Sequence, residues 1–264
     1  MTTSFDNPPV VETVLSVQFE ELESFRNIHF GLFHTEVRDA FPRSEDRPRL
    51  EKIFESFPLV PKLKRLQFQQ AGGEPDRVWY CAEGANPLML QLQPDRFALN
   101  WCKRDGQQYP TYRSYRPEFL ERLDQFSRFV DRSAIGTVTP TVCEVSYVNH
   151  ILPKPGESVS EAFSAVFSGI DWVSSDGWLI QPPESISLNR TFPIESTRGR
   201  LYVEAGSAHD GQRDILSLKI TARTLCSNLN SVPNDLDLAH TWVVKSFVSL
   251  TRASARTERW GEKS

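Results

Sequence analysis

Long apolar runs are missing from this 264-residue chain. None approaches the roughly 18 residues that would suggest a membrane span. The opening stretch, Met1 to Glu12, has neither the basic nor the apolar region of a secretory signal, so a cytoplasmic location is expected. Cysteine is scarce. Cys81, Cys102, Cys143 and Cys226 stand apart with no CxxC pair, which fits four reduced thiols rather than a disulfide framework. His29, His34, His150, His209 and His240 add no recognised metal-ligand spacing, so no metal and no cofactor are expected. Glycine numbers 13, and none of these residues forms a phosphate-cradling loop ahead of a helix. GxGxxG, Walker A, GxSxG and HExxH motifs are all absent. Positive charge is not in excess either: the net charge of −4 removes the chain-wide basic footprint of a nucleic-acid binder and leaves only a local patch to consider.

What is present is the composition of a folded protein. With 39% apolar and 24% charged residues, the chain can bury a core and is not expected to be disordered. Its clearest stretch runs from Pro87 to Tyr112 and reads as a β-hairpin. Leu90, Leu92, Phe97, Leu99 and Trp101 alternate with polar residues and fall on one face, with Pro94-Asp95 at the turn. Ahead of it, Thr2–Asn7 reads as a polar lead, Val10–Leu22 as a strand and Ser24–Phe41 as a helix ended by Pro42. Residues 43–61 read as a surface connector, followed by a strand pair over 62–71 and 77–83. Pro117 suits the first turn of a helix with Phe119, Leu123, Phe126 and Val130 on its apolar stripe.

Residues 136–140 mark the best internal boundary. Beyond them come a strand at 141–152 and a helix opened by the capping box Ser158-x-x-Glu161. Strands follow at 185–195, 200–207 and 214–224. The last helix has Asp235 or Asp237 as its expected N-cap, with a tail from Thr257. The expected fold class is α+β, with two pseudo-repeated βαβββα halves at 8–136 and 137–264 packed as one unit. Antiparallel sheets would be covered by helices, in the manner of helix-grip or saddle-like folds such as Bet v 1-like proteins and the TATA-binding protein. The repeat is one of element order; no residue-level repeat accompanies it.

Three stretches carry a family resemblance: Pro8-Pro9-Val10-Val11-Glu12, the run from Leu90 to Trp101 with Tyr109-Pro110-x-Tyr112 after it, and Leu236-Asp237-x-Ala239-His240 leading to Trp260-Gly261. Through them the chain resembles a sporadically distributed bacterial family of uncharacterised proteins. The resemblance implies this layout throughout. It also implies the patchy distribution of mobile cargo, such as toxin–antitoxin, immunity or phage-defence modules.

Two groups of residues invite a functional reading. The first is the hairpin tip and the loop behind it: Asp95, Arg96, Lys103, Arg104, Tyr109, Tyr112, Arg113 and Arg116. Arginines and tyrosines interleaved in this way suit a protein interface, and they also stack on bases and neutralise phosphates. The leading expectation is a non-enzymatic component that binds another protein encoded nearby through this surface; nucleic acid is the less favoured partner, and no membrane is expected. The second group is Asp237, His240 and Trp242 on the last helix. With Asp237 three residues before it, His240 reads either as a carboxylate-oriented base or as a helix-packing residue. With Trp172 and Trp178, Trp242 reads as lining of a ligand cavity or as core. This group supports the alternative of a small-molecule-binding or hydrolytic helix-grip protein. Glu12, on the polar face of the first strand, is a functional flag only if buried.

Overall fold

Alternating apolar residues build most of the strands, and nine of the strands build one sheet. The computed structural model describes residues 4–59, 76–84, 86–104, 106–168 and 183–263. The elements in chain order are β1 (Ser4–Phe5), β2 (Val10–Phe19), α1 (Asn27–Val37), β3 (Arg43–Arg47), β4 (Arg77–Cys81), β5 (Leu88–Gln93), β6 (Arg96–Cys102) and α2 (Tyr112–Arg132). Then follow β7 (Pro140–Ile151), α3 (Val159–Val166), β8 (Ser187–Ile194), β9 (Gly199–His209), β10 (Asp214–Leu225), α4 (Val232–Leu250), α5 (Ala253–Trp260) and β11 (Glu262–Lys263). Nine strands form one sheet in the order β3-β4-β5-β6-β2-β7-β10-β9-β8, every neighbour antiparallel. This is an α+β fold, as expected.

The hairpin is where the alternation placed it. Leu90 faces Leu99 and Leu92 faces Phe97 across β5 and β6, and Leu90, Leu92, Phe97 and Leu99 are completely buried. The same face continues through Leu15 and Val17 on β2, Val145 and Tyr147 on β7, and Ile220 on β10. Helices cover it. Phe33 of α1 and Phe126 of α2 pack on Phe97 at ring separations of 6.4 and 5.5 Å, and α4 lies on β7 and β10. In both halves the first strand pairs with the last strand before the closing helix, β2 with β6 and β7 with β10. Among the described residues the first half carries four strands between α1 and α2, one more than the expected βαβββα unit, so the repeat is not confirmed.

Several expectations need correction. Residues 43–47, expected in a connector, form the edge strand β3, which pairs with β4 in full register; a charged edge strand has no apolar alternation to announce it. The strand expected over 62–71 lies outside the described residues. Helix α2 begins at Tyr112, ahead of Pro117, because Tyr112 and Tyr115 are buried and hold the first turn in place. Helix α4 begins at Val232 after a short 3-10 turn, with Pro233 in its first turn. The lead contributes β1, and the tail runs from the end of α5 into β11: β1 pairs with β11, joining Ser4 to Lys263 and Phe5 to Glu262. Gly261 makes this return, capping α5 in the left-handed region at φ 63°.

Candidate functional site

The paired lead and tail form one wall of a cavity of about 640 Å³. Phe5 is fixed by edge contacts to Phe247 and Trp260, at 5.5 and 6.4 Å. Asp6 and Asn7 donate backbone N–H groups to the carbonyls of Gly261 and Trp260. From there the chain runs along the cavity through Pro8, Pro9 and Val10. The opposite wall is the loop after β6 together with the first turn of α2, contributing Lys103, Gln108, Tyr109, Thr111, Tyr112 and Arg113. Tyr147 and Asn149 of β7, Ile220 of β10 and Val243 and Phe247 of α4 form a buried floor, while Lys103, Gln108, Thr111 and Arg113 are exposed at the rim. An apolar floor beneath a ring of polar groups is the usual build of a small-molecule site.

His240 stands on the inner face of α4. Its ring stacks on Tyr112 at 3.9 Å with 8° between the planes. Burial, with the nearby Arg113 charge adding to it and Asp237 opposing it, pulls the imidazole down to about 4. The ring is therefore neutral at pH 7, offering one donor and one acceptor. Asp237 does not hydrogen-bond it, contrary to the carboxylate-oriented arrangement. Its Oδ1 accepts from the Tyr112 hydroxyl at 2.8 Å and from Arg116 Nε at 2.7 Å, and its Oδ2 accepts from Arg116 Nη2 at 2.9 Å. Asp237 and Arg116 thus position Tyr112, and Tyr112 in turn positions His240.

A cluster of phenols lies beside the ring. The hydroxyls of Tyr109 and Tyr147 are 2.6 Å apart, and Tyr115 and Thr13 are buried next to them. Burial raises the Tyr109, Tyr115 and Tyr147 phenols well above their ordinary value, so all three keep their protons. At the rim, Lys103 and Arg113 form no ion pair among the described residues. Asp6, the one lining carboxylate among the described residues, pairs with Lys263.

The two groups of residues singled out in the sequence are therefore partly one. Lys103, Tyr109, Tyr112 and Arg113 share the cavity with His240, with Asp237 and Arg116 behind them. Trp242 does not line it: two residues along a helix is a turn of about 200°, which points the side chain away from His240. Trp172 and Trp178 lie outside the described residues. Arg104 donates to the Gly84 carbonyl.

Asp95 and Arg96 are not at an exposed tip. Both are buried, because the 48–57 segment lies across the outer face of the sheet. Asp95 meets Arg49 at 3.1 Å, and Arg96 Nη2 donates to Gln18 Oε1 at 3.0 Å and to the Glu51 carbonyl at 2.8 Å. The basic residues of the expected surface consequently do not form one exposed patch. Glu12 is half-buried and accepts from Asn100 Nδ2 at 2.6 Å, an ordinary cross-strand pair.

The cavity residues missed in the sequence include Phe5, Tyr147, Asn149, Ile220, Val243 and Phe247. Each reads there as lead, strand core or helix core, and no local signal sets it apart. All four cysteines are free. Cys143 and Cys226 come together with Asp235, donor atoms within 4.8 Å of one another. This set is already occupied by hydrogen bonds: Asp235 accepts from Arg198 at 2.7 Å, and Cys226 Sγ contacts the Asn228 carbonyl at 3.4 Å and Ser231 Oγ at 3.2 Å. The contact between the two thiols, with burial, raises Cys143 well above its usual value, and the same contact lowers Cys226, as expected of a thiol pair sharing one hydrogen bond. No helix among the described residues is long and apolar enough to cross a membrane. In comparison with known proteins, no family model, curated protein or solved structure matches the chain.

Proposed function

We propose that this chain is a small-molecule-binding protein whose ligand occupies the cavity between the paired termini, the loop after β6 and α4. The observation that carries this reading is the cavity itself. At about 640 Å³ it lies within the range of ligand pockets, and convergent polar groups stand over its apolar floor. The three stretches behind the family resemblance also meet there, through Pro8, Pro9 and Val10, through Tyr109 and Tyr112, and through His240.

Binding is favoured over hydrolysis. A general base works best with a pKa near the operating pH, and His240 at about 4 is too weak a base for that task. Among the described residues it also makes no hydrogen bond to a hydroxyl or thiol that it would activate. The burial of Asp95 and Arg96, and the turning of Lys103, Tyr109, Tyr112 and Arg113 toward the cavity, favour a ligand site here over an outward protein-docking face.

Val244, on the cavity wall, provides the test. A neutral environment-sensitive fluorophore such as N-phenylnaphthylamine should bind the wild-type chain saturably. Val244→Trp should weaken that binding about tenfold or more, equivalent to about 1.4 kcal/mol, with an unchanged circular dichroism spectrum. Absence of saturable binding by the wild type, or binding that Val244→Trp leaves intact, would overturn the proposal.

A further inference from the structure

We infer that the ligand is an amphipathic organic anion, its acidic group held at the rim by Lys103 and Arg113 and its apolar body laid on Val243 and Phe247. This assignment rests on the ligand-binding reading of the cavity and adds the chemical class.

The charge arrangement carries it. Lys103 and Arg113 both line the rim, and neither forms an ion pair among the described residues. The nearby carboxylates among the described residues are already engaged: Asp6 pairs with Lys263, and Asp237 accepts from Arg116 and Tyr112. Two cations at one mouth with no ion pair among the described residues, in a chain whose net charge is −4, are a local excess of positive charge. A concave, low-dielectric wall focuses such an excess on an incoming anion. Arg113 adds a planar fork of donors suited to two oxygens of one acidic group, and Lys103 adds a mobile point charge.

The inner part of the cavity requires the rest of the ligand to be uncharged. Val10, Ile220, Val243 and Phe247 are buried and apolar. The polar atoms among them are neutral: the phenols keep their protons, and the His240 ring is uncharged at pH 7. Such a floor would impose a desolvation penalty on a second charge and accepts an alkyl or aromatic body. Tyr109, Tyr147 and His240 are placed to hydrogen-bond at most a hydroxyl or carbonyl partway along that body.

Decanoate, decanol and decylamine share one chain and differ in head group, so they separate the two levels of the argument. Each is titrated into the full chain by displacement of the neutral fluorophore. Decanoate is expected to bind at least about tenfold more tightly than decanol, and decylamine more weakly than either. In the double variant Lys103→Gln/Arg113→Gln, decanoate affinity should fall to that of decanol while decanol affinity is unchanged, which also shows that the exposed substitutions leave the fold intact. Equal binding of decanoate and decanol by the wild type, or a preference for decanoate that survives in the double variant, would overturn the anion assignment and leave the cavity reading standing. Failure of all three to displace the fluorophore, or of the fluorophore to bind, would overturn both.

Discussion

At the residue scale, His240 has a measurable signature. Its ring titrates near 6.5 in the unfolded chain and at about 4 in the fold, chiefly through burial. Between those values the unfolded state binds the additional proton. The contribution of the neutral ring is therefore complete above about pH 6.5 and is lost as pH falls toward 4, a change on the order of 3 kcal/mol. His240→Phe keeps an aromatic ring against Tyr112 and removes the titration. Urea denaturation at several pH values should show the wild type losing more stability than the variant across this window; parallel curves would contradict the buried, neutral ring. Spacing in the sequence was enough to single out His240 and Asp237, since residues three apart share a helix face. Their actual relation was not legible there. Tyr112 and Arg116, distant in sequence, take the carboxylate that helical geometry alone would direct to the imidazole.

At the element scale, the hairpin β5–β6 and the 48–57 segment are opposites. The hairpin is local, and its alternation of apolar and polar residues determines both its pairing and its buried face. The segment has no periodicity, and its partners come from far along the chain. The Ile53 N–H donates to Gln18 Oε1 at 2.6 Å, and Leu50 exchanges hydrogen bonds with Gln93. Glu55 is the anchor at its far end, buried with Arg200 Nη1 at 2.6 Å, the Tyr202 hydroxyl at 2.7 Å and Arg223 at 3.7 Å. Glu55→Ala would leave Arg200 as an unpaired buried charge, at a cost of about 3 to 5 kcal/mol. The variant should show a lower urea midpoint and faster tryptic cleavage after Arg49 and Lys52. A midpoint within error of the wild type would exclude the segment as an anchored cover of the outer sheet face.

At the scale of the whole molecule, the seam between β2 and β7 decides the architecture. Leu15 pairs with Val145 and Val17 with Cys143 at the centre of the nine-stranded sheet, and all four residues are fully buried. Cutting the chain at 136 would turn β2 and β7, of 10 and 12 residues, into long exposed edges. Residues 8–136 and 137–264 made separately are expected to aggregate or to lack dispersed amide resonances, and co-expression should restore a soluble complex. A monomeric fragment that unfolds cooperatively by itself would show that the seam is a docking surface between independent units. Both termini also belong to this scale, because β1 and β11, from opposite ends of the chain, pair with each other.

By itself the sequence determined the α+β class, the main strands and helices and the buried face of the hairpin, and it singled out Tyr109, Tyr112, Arg113 and His240, which line one cavity. These follow from short-range periodicity, capping and residue chemistry, which act within a few positions of the chain. Only the tertiary structure decided that Asp95 and Arg96 are covered, that the lead and the tail pair through β1 and β11, and that residues from both halves enclose one cavity. Each of these outcomes depends on burial and hydrogen bonding between segments far apart in the chain. The same Arg96 guanidinium would be solvated at a bare hairpin tip; the carbonyl of Glu51 and the amide of Gln18 make it part of the interior.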